Sequence, residues 1–169
     1  MKPRFPAEHW IETLDLVPHP EGGFFRETYR ASESVPSGSL PARYAGDRSF
    51  ATAIYFLIPE GGFSAFHRLA SDEIWHFYDG AAVRLHLLCD THGYRCVLLG
   101  PLNGEGQCPQ RVVPGGTWLA AEPAEPSAHA LVGCTVAPGF EFADFELADT
   151  GELAARYPAH SAVIQRLCR

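Results

Sequence analysis

From Ser49 to Leu147 the chain offers no run long enough or periodic enough for a helix, only short apolar or alternating segments cut by Gly, Pro, Asp and Asn. The segments are 51–58, 63–70, 73–79, 83–89, 94–100, 109–114, 117–121, 129–136 and 140–147. Strand-length runs recurring at about ten-residue intervals are the signature of an antiparallel sandwich or barrel, and they exclude a parallel α/β sheet, which needs a helix between strands. In the last segment the alternation slips between Phe142 and Phe145, which predicts a bulge near Ala143.

Helix signals fall only at the two ends. Pro6 followed by residues 7–16 reads as a short helix with Trp10, Leu14 and Val17 on one face. Asp149 three residues before Glu152 forms a capping-box pattern, and Pro158 restarts a helix whose Val163, Ile164 and Leu167 can pack inward. Between these ends HPEGGFFRETYR predicts a turn at Pro20, Gly22 and Gly23. A strand follows, with Phe25, Glu27 and Tyr29 on one face and Arg26, Thr28 and Arg30 on the other. Residues 32–46, rich in Ser, Pro, Gly and Ala, read as a mobile loop or a lid.

With 169 residues, 46% of them hydrophobic, the expectation is a single domain spanning 1–169. A net charge of −7 and thirteen scattered Lys and Arg argue against a nucleic-acid partner. No run approaches the roughly 18 apolar residues of a membrane span, and the first residues carry no apolar signal core, so the expected compartment is the cytoplasm and no membrane partner is expected. Five cysteines without a C-x-x-C pair point to reduced thiols.

Chemistry concentrates in residues 62–80, GFSAFHRLASDEIWHFYDG, which place His67, Glu73 and His76 on two adjacent predicted strands. Two imidazoles and a carboxylate can make a metal site or an acid/base site. As a 2-His-1-carboxylate set, His67, Glu73 and His76 would suit Zn, Mn or Fe. Strand alternation opposes that set, because Glu73, Trp75 and Phe77 share one face while Ile74, His76 and Tyr78 share the other. His86 on the following strand is the substitute ligand. Without a metal, His67 paired with Glu73 or Asp72 supplies a base near neutrality, and Tyr55 or Tyr78 could return the proton. Arg26, Arg68 and Arg84 are candidates for gripping a carboxylate or phosphate. Trp75, Trp118, Phe56, Phe63, Phe66 and Phe77 supply rings for an apolar pocket. His19, in its turn, and His129 read as surface residues, and Asp144 and Glu146 as bulge or sheet-edge carboxylates.

The spacing G-x4-H-x5-E-x6-G of Gly62, His67, Glu73 and Gly80 resembles the first motif of the cupin superfamily, G-x5-H-x-H-x3,4-E-x6-G. Pro114-Gly115-Gly116 echoes the second, P-x-G-x2-H. Leu69 and Leu119 stand where that family places two histidine ligands, so only His67 and Glu73 carry over by position. HPEGGFFRETYR, TAIYFLI, SDEIWHF, PQRVVP and LVGCTVAPGFEFADFEL resemble one branch, the domain-of-unknown-function cupins often called Cupin-5. The resemblance implies a double-stranded β-helix (jelly-roll) barrel with short terminal helices, usually dimeric, holding a ligand-sized pocket. Members of the branch are compared with deoxysugar epimerases, germins and auxin-binding proteins.

The combined expectation is an all-β barrel that binds a small sugar-like or keto-acid metabolite, with metal-independent isomerase or epimerase chemistry at His67, Glu73 and Tyr78. Tyr55, Trp75, His76, His86, Arg26 and Trp118 are the expected ligand contacts. The alternatives are a metal-dependent oxygenase or hydrolase, with a divalent metal on His67, Glu73 and His76, and a metabolite-binding protein without turnover. A homodimer is expected, with the FFRETYR strand as the pairing edge.

Overall fold

The computed structural model describes residues 5–102 and 106–169. Two antiparallel sheets face each other. The six-stranded sheet runs β1 (Val17–Pro18), β2 (Phe24–Arg30), β5 (Thr52–Ile58), β12 (Ala130–Ala137), β7 (Asp72–Gly80) and β10 (Gln110–Val113). The five-stranded sheet runs β13 (Phe145–Leu147), β6 (Ser64–Leu69), β11 (Trp118–Pro123), β8 (Val83–Cys89) and β9 (Gly93–Leu99). β3 (Ser34–Val35) and β4 (Arg48–Ser49) pair separately. Helix α1 (Ala7–Thr13) lies against the first sheet, and α2 (Thr150–Arg156) and α3 (Ser161–Leu167) cover the second.

Alternation along each strand decides which side chains meet. Phe56, Ile58, Trp75, Val83, Leu85, Leu99, Leu119 and Val132 fill the space between the sheets. Their neighbours point the other way: Phe66, Leu88 and Trp118 pack under Ile164 and Leu167, while Leu57 and Leu131 pack under Trp10 and Leu14. Each such fully buried side chain contributes about 1.5–3 kcal/mol. The terminal helices therefore cap strand faces that would otherwise be apolar and wet.

Several local expectations need correction. Helix α1 stops at Thr13, because Asp15 takes a left-handed φ of 50° and Leu16 turns back to donate to Ile11 O; Val17 lies on β1, exposed, not on the helix face. Residues 32–46 are fastened rather than free: Tyr44 is buried with its hydroxyl 3.0 Å from Ser71 Oγ, Arg43 donates to Ala70 O, and Ser37 N donates to Asp47 Oδ1. The slip in 140–147 is a 3-10 turn, Phe142–Asp144, that seats the Asp144 carboxylate in a bidentate, buried pair with Arg48 (both contacts 2.6 Å) before β13 begins. Asp149 Oδ1 accepts from Glu152 N, as the capping pattern predicts.

Two bulges re-aim side chains. The register of β2 on β5 shifts between Glu27 and Tyr29, so Arg30 joins Phe25 and Glu27 on the inner side instead of following Arg26 outward. On β7 the register against β12 shifts so that Tyr78 has no partner opposite it, and its ring lies across Gly133, where a Cβ would come within 2.4 Å of the tyrosine hydroxyl.

Candidate functional site

One end of the space between the sheets is filled by apolar side chains; the other holds a cavity of about 100 Å³. Phe56 lies at the boundary, in edge contact with Trp75 one layer below. Polar groups collect at the base: His19, Glu21, His67, Glu73 and Cys134. Five phenyl rings, Phe25, Phe56, Phe140, Phe142 and Phe145, make most of the wall. Arg30, Glu27 and Glu141 stand at the rim, bound to one another.

The base is assembled from three parts of the chain. His67 sits on β6, facing inward because Phe66 and Arg68 face out. Glu73, the second residue of β7, lies on the same side as Trp75, whose indole donates to its Oε2 at 2.7 Å. His19 and Glu21 come from the turn before β2. That turn is tight: Gly22 N donates to His19 O and His19 N to Gly23 O. Gly22 has φ 109°, and a Cβ there would lie 2.3 Å from Phe63 O, so only glycine lets the turn press against the barrel end and push Glu21 inside. Ala65 N donates to Glu21 O at 2.8 Å and Ser64 Oγ to Glu21 Oε1 at 2.7 Å, which pins both backbone and carboxyl.

Hydrogen bonds fix the protons. His67 Nδ1 is 2.8 Å from Ala65 O; a carbonyl only accepts, so Nδ1 carries the hydrogen and the neutral ring keeps a lone pair on Nε2. Nε2 is 3.5 Å from Glu21 Oε2. His19 Nδ1 accepts from Glu21 N at 3.3 Å and is 3.3 Å from the same Glu21 oxygen. Burial dominates the electrostatics. It pushes the Glu21 carboxyl up to about 8, outweighing the Ser64 hydrogen bond and the Arg169 charge. It pulls His19 down to about 4, helped by His67. Burial also lowers His67, against the opposing charge of Glu73, and raises Glu73 and Cys134. Burial thus disfavours the charged form of every one of these groups.

Of the residues singled out from the sequence for a pocket or its chemistry, the fold brings His67, Glu73 and Phe56 to this cavity. Trp75 supports Glu73 from the packed layer beneath. His76 faces the outside of the six-stranded sheet, where Nε2 meets Thr135 Oγ1 at 3.1 Å, because it is one residue out of phase with Trp75. Tyr55 and Tyr78 form an edge-to-face pair on that same outer face with Arg26 over Tyr55, and Arg26 pairs with Asp15. Tyr78 is therefore too far round the sheet to return a proton to His67's ligand. His86, Trp118 and Arg84 lie on the outer face of the other sheet: His86 between Tyr94 and Glu122, Trp118 under Arg68, and Arg84 on Ala124 O. Arg68 pairs with Glu146 on the β13 edge, and Asp72 accepts from Gly115 N. His19 is a cavity residue, not a surface one, with its side chain only 6% exposed. Glu21 went unread because a carboxylate inside a Pro-Gly-Gly turn looks solvated. The signal available was HPEGG itself: a double glycine directly after an acidic residue, two positions past a histidine, is what a turn pressed into a protein interior needs.

The sequence pattern of the cupin superfamily family DUF985 (Cupin_5) matches residues 8–148. The chain is a Cupin-5 protein. Its barrel is the double-stranded β-helix of that superfamily. A solved protein of Shewanella oneidensis is 36% identical to this cupin, with a TM-score of 0.86 and 98% of each chain covered. A hypothetical protein from Leishmania major is 35% identical, with a TM-score of 0.85, over 97% of this chain and 99% of that one. An uncharacterized protein of Saccharomyces cerevisiae is 28% identical over 152 residues, 85% of this chain and 75% of its own length. Oxalate decarboxylase of Bacillus subtilis shares the fold alone: 15% identity, a TM-score of 0.52, and only 36% of its chain covered.

That decarboxylase has Mn(II) centres, which makes the donor set of this cupin worth testing. Leu69 and Leu119 are buried apolar side chains. His76 and His86 point away from the cavity into hydrogen bonds of their own. Among the described residues no group of three or more His, Cys, Asp and Glu is placed to hold a metal ion. The set His67, Glu73 and His76 does not converge, with or without His86, so the residues present do not fit a metal of the kind expected from the sequence. Among the described residues no helix is long and apolar enough to cross a membrane.

Proposed function

We propose that this cupin binds a small carbonyl metabolite in the barrel cavity and moves a proton beside the carbonyl with protein groups alone, as an isomerase or epimerase does. The supporting observation is the His67–Glu21 pair: an imidazole whose Nδ1 is tied to Ala65 O, leaving the Nε2 lone pair 3.5 Å from a carboxyl that burial keeps protonated. A base and an acid are thereby poised side by side at the same pH, which two solvated groups of these types would not be.

The steps balance without an outside reactant. His67 Nε2 takes the proton on the carbon next to the carbonyl, the C–H pair becomes the C=C bond of an enol, and the Glu21 O–H gives its proton to the carbonyl oxygen. Return of a proton from His67 to that carbon, with the enol O–H proton passing back to Glu21, regenerates both groups; where the carbon also bears a hydroxyl, protonation of the neighbouring carbon with that hydroxyl's proton going to Glu21 gives the isomeric carbonyl. Glu73, whose charge favours protonated His67, steadies the imidazolium, and Trp75 holds Glu73 in place. The role assigned from the sequence to Tyr78 passes to Glu21.

Proton exchange tests this directly. Phenylacetone, dihydroxyacetone and pyruvate are each incubated with the protein in D2O, and loss of the C–H signal beside the carbonyl is followed by NMR. One of them should exchange well above the buffer rate, and His67→Ala should lower that rate by about 10²–10⁴-fold. Ligands that bind the cavity but never exchange would assign it to binding without turnover.

A further inference from the structure

Building on that reading, we propose that the cavity selects an uncharged, ring-bearing carbonyl or hydroxyl compound and rejects carboxylates and phosphates. The argument starts from what could answer a negative charge. Arg30 is the one guanidinium among the lining residues, and four of its five N–H donors are engaged: Nε and one terminal nitrogen on Glu27, the other on Glu141, with a further hydrogen bond to Phe140 O. It stands at the rim, between two carboxylates. At the base the groups are two carboxyls, two imidazoles and a thiol. Whatever their protonation, Glu21 and Glu73 do not welcome an anion: ionised they repel it, and protonated they leave its charge buried and unpaired.

A neutral oxygen fares differently. It accepts from a carboxyl O–H of Glu21 or Glu73, and a hydroxyl can donate to His67 Nε2. The rest of the space asks for an apolar body. Phe25, Phe56, Phe140, Phe142 and Phe145 surround about 100 Å³, a volume of the order that takes a single benzene ring in an apolar protein cavity. Ring faces and edges at contact distance favour a flat ligand over a polyhydroxylated one, whose hydroxyls would find no partners along these walls. Sugar-like and keto-acid metabolites, the ligands expected from the sequence, are therefore the wrong chemistry for this cavity.

Two molecules of nearly the same shape decide the matter. Benzamide and benzoate are titrated at pH 7 into 15N-labelled protein, and amide shifts of His19, Glu21, Phe25 and Val136 are read. Benzamide should shift them with at least tenfold higher affinity than benzoate, and acetamide, which lacks the ring, should shift them hardly at all. Benzoate binding as well as or better than benzamide overturns the charge selection and leaves the cavity as a binding site. Acetamide matching benzamide overturns the requirement for a ring. No shift at these four positions from any of the three at millimolar concentration overturns this proposal and the ligand-binding reading beneath it together.

Discussion

Two buried histidine–glutamate pairs lie on opposite sides of one sheet, and they have become different things. Inside the barrel, His67 faces Glu21 and Glu73 across a cavity whose one lining guanidinium, Arg30, stands at the rim between Glu27 and Glu141. Outside, under the C-terminal helices, His86 has both ring nitrogens engaged, Nδ1 by the Tyr94 hydroxyl at 2.8 Å and Nε2 by Glu122 at 3.1 Å. Arg166 closes on Glu122, and Tyr94 stacks on His160. Burial pushes Glu122 upward, yet the hydrogen bonds and charge of Arg166, then those of His86, outweigh it and hold the carboxylate below its usual range. Glu21 accepts from Ser64 and feels the charge of Arg169, but there burial outweighs both and the carboxyl goes the other way, to about 8. A buried His–Glu pair is a structural tie when a third charge neutralises it and no lone pair is spare. Where burial outweighs the neighbouring charge and a lone pair faces a cavity, the same residue types make the pair proposed above to move a proton.

That contrast can be broken most severely at the outer pair. Glu122→Ala strands His86 Nε2 and Arg166 without their acceptor and should destabilise the protein by about 1–3 kcal/mol in urea unfolding. Benzamide affinity should stay within twofold, and a larger loss would mean the two pairs are coupled through the sheet.

The inner pair should announce itself through pH. Glu21 and Glu73 have raised folded pKa values, that of Glu21 at about 8, so above the unfolded carboxylate range the unfolded chain binds fewer protons and stability falls as pH rises through the raised values. His19 and His67 have lowered values and act oppositely, adding stability as pH rises, an effect that is half over at about 6.5, the midpoint of the unfolded imidazoles, and fades above it. The carboxyls therefore dominate most cleanly from about pH 7.5 upward. There the unfolding midpoint should drop with pH, Glu21→Gln should flatten part of that slope, and Glu21→Gln with Glu73→Gln should flatten most of it. An unchanged slope in the double variant would show that the cavity carboxyls are ionised like any others. The smallest expected effect is a control on neither pair: Asp149→Ala removes the α2 cap and should cost about 1 kcal/mol, with pH slope and benzamide binding untouched.

Much of the frame could be read in advance because it depends on local pattern. The 83–89 segment is β8 to the residue, the terminal helices stand where Pro6, Asp149 and Pro158 place them, and parity along β7 correctly sets His76 apart from Glu73. The same parity fails wherever a register shift intervenes: Arg30 enters the rim because β2 carries an extra residue against β5. It is silent about which face of a strand lies inside. His86, Trp118 and Arg84 alternate as neatly as His67 and Leu119 do, yet they belong to the outer layer.

Alternating strands, terminal caps and a histidine–glutamate spacing are properties of short stretches, and the chain by itself determined them. The cavity is not such a property. It exists because the 19–23 turn, the start of β7 and the 140–145 segment, far apart along the chain, close over one barrel end while the other end is packed solid. Only that closure buries Glu21 and His67, and burial, an environment rather than a residue type, is what moves both away from the titration of an ordinary acid and base.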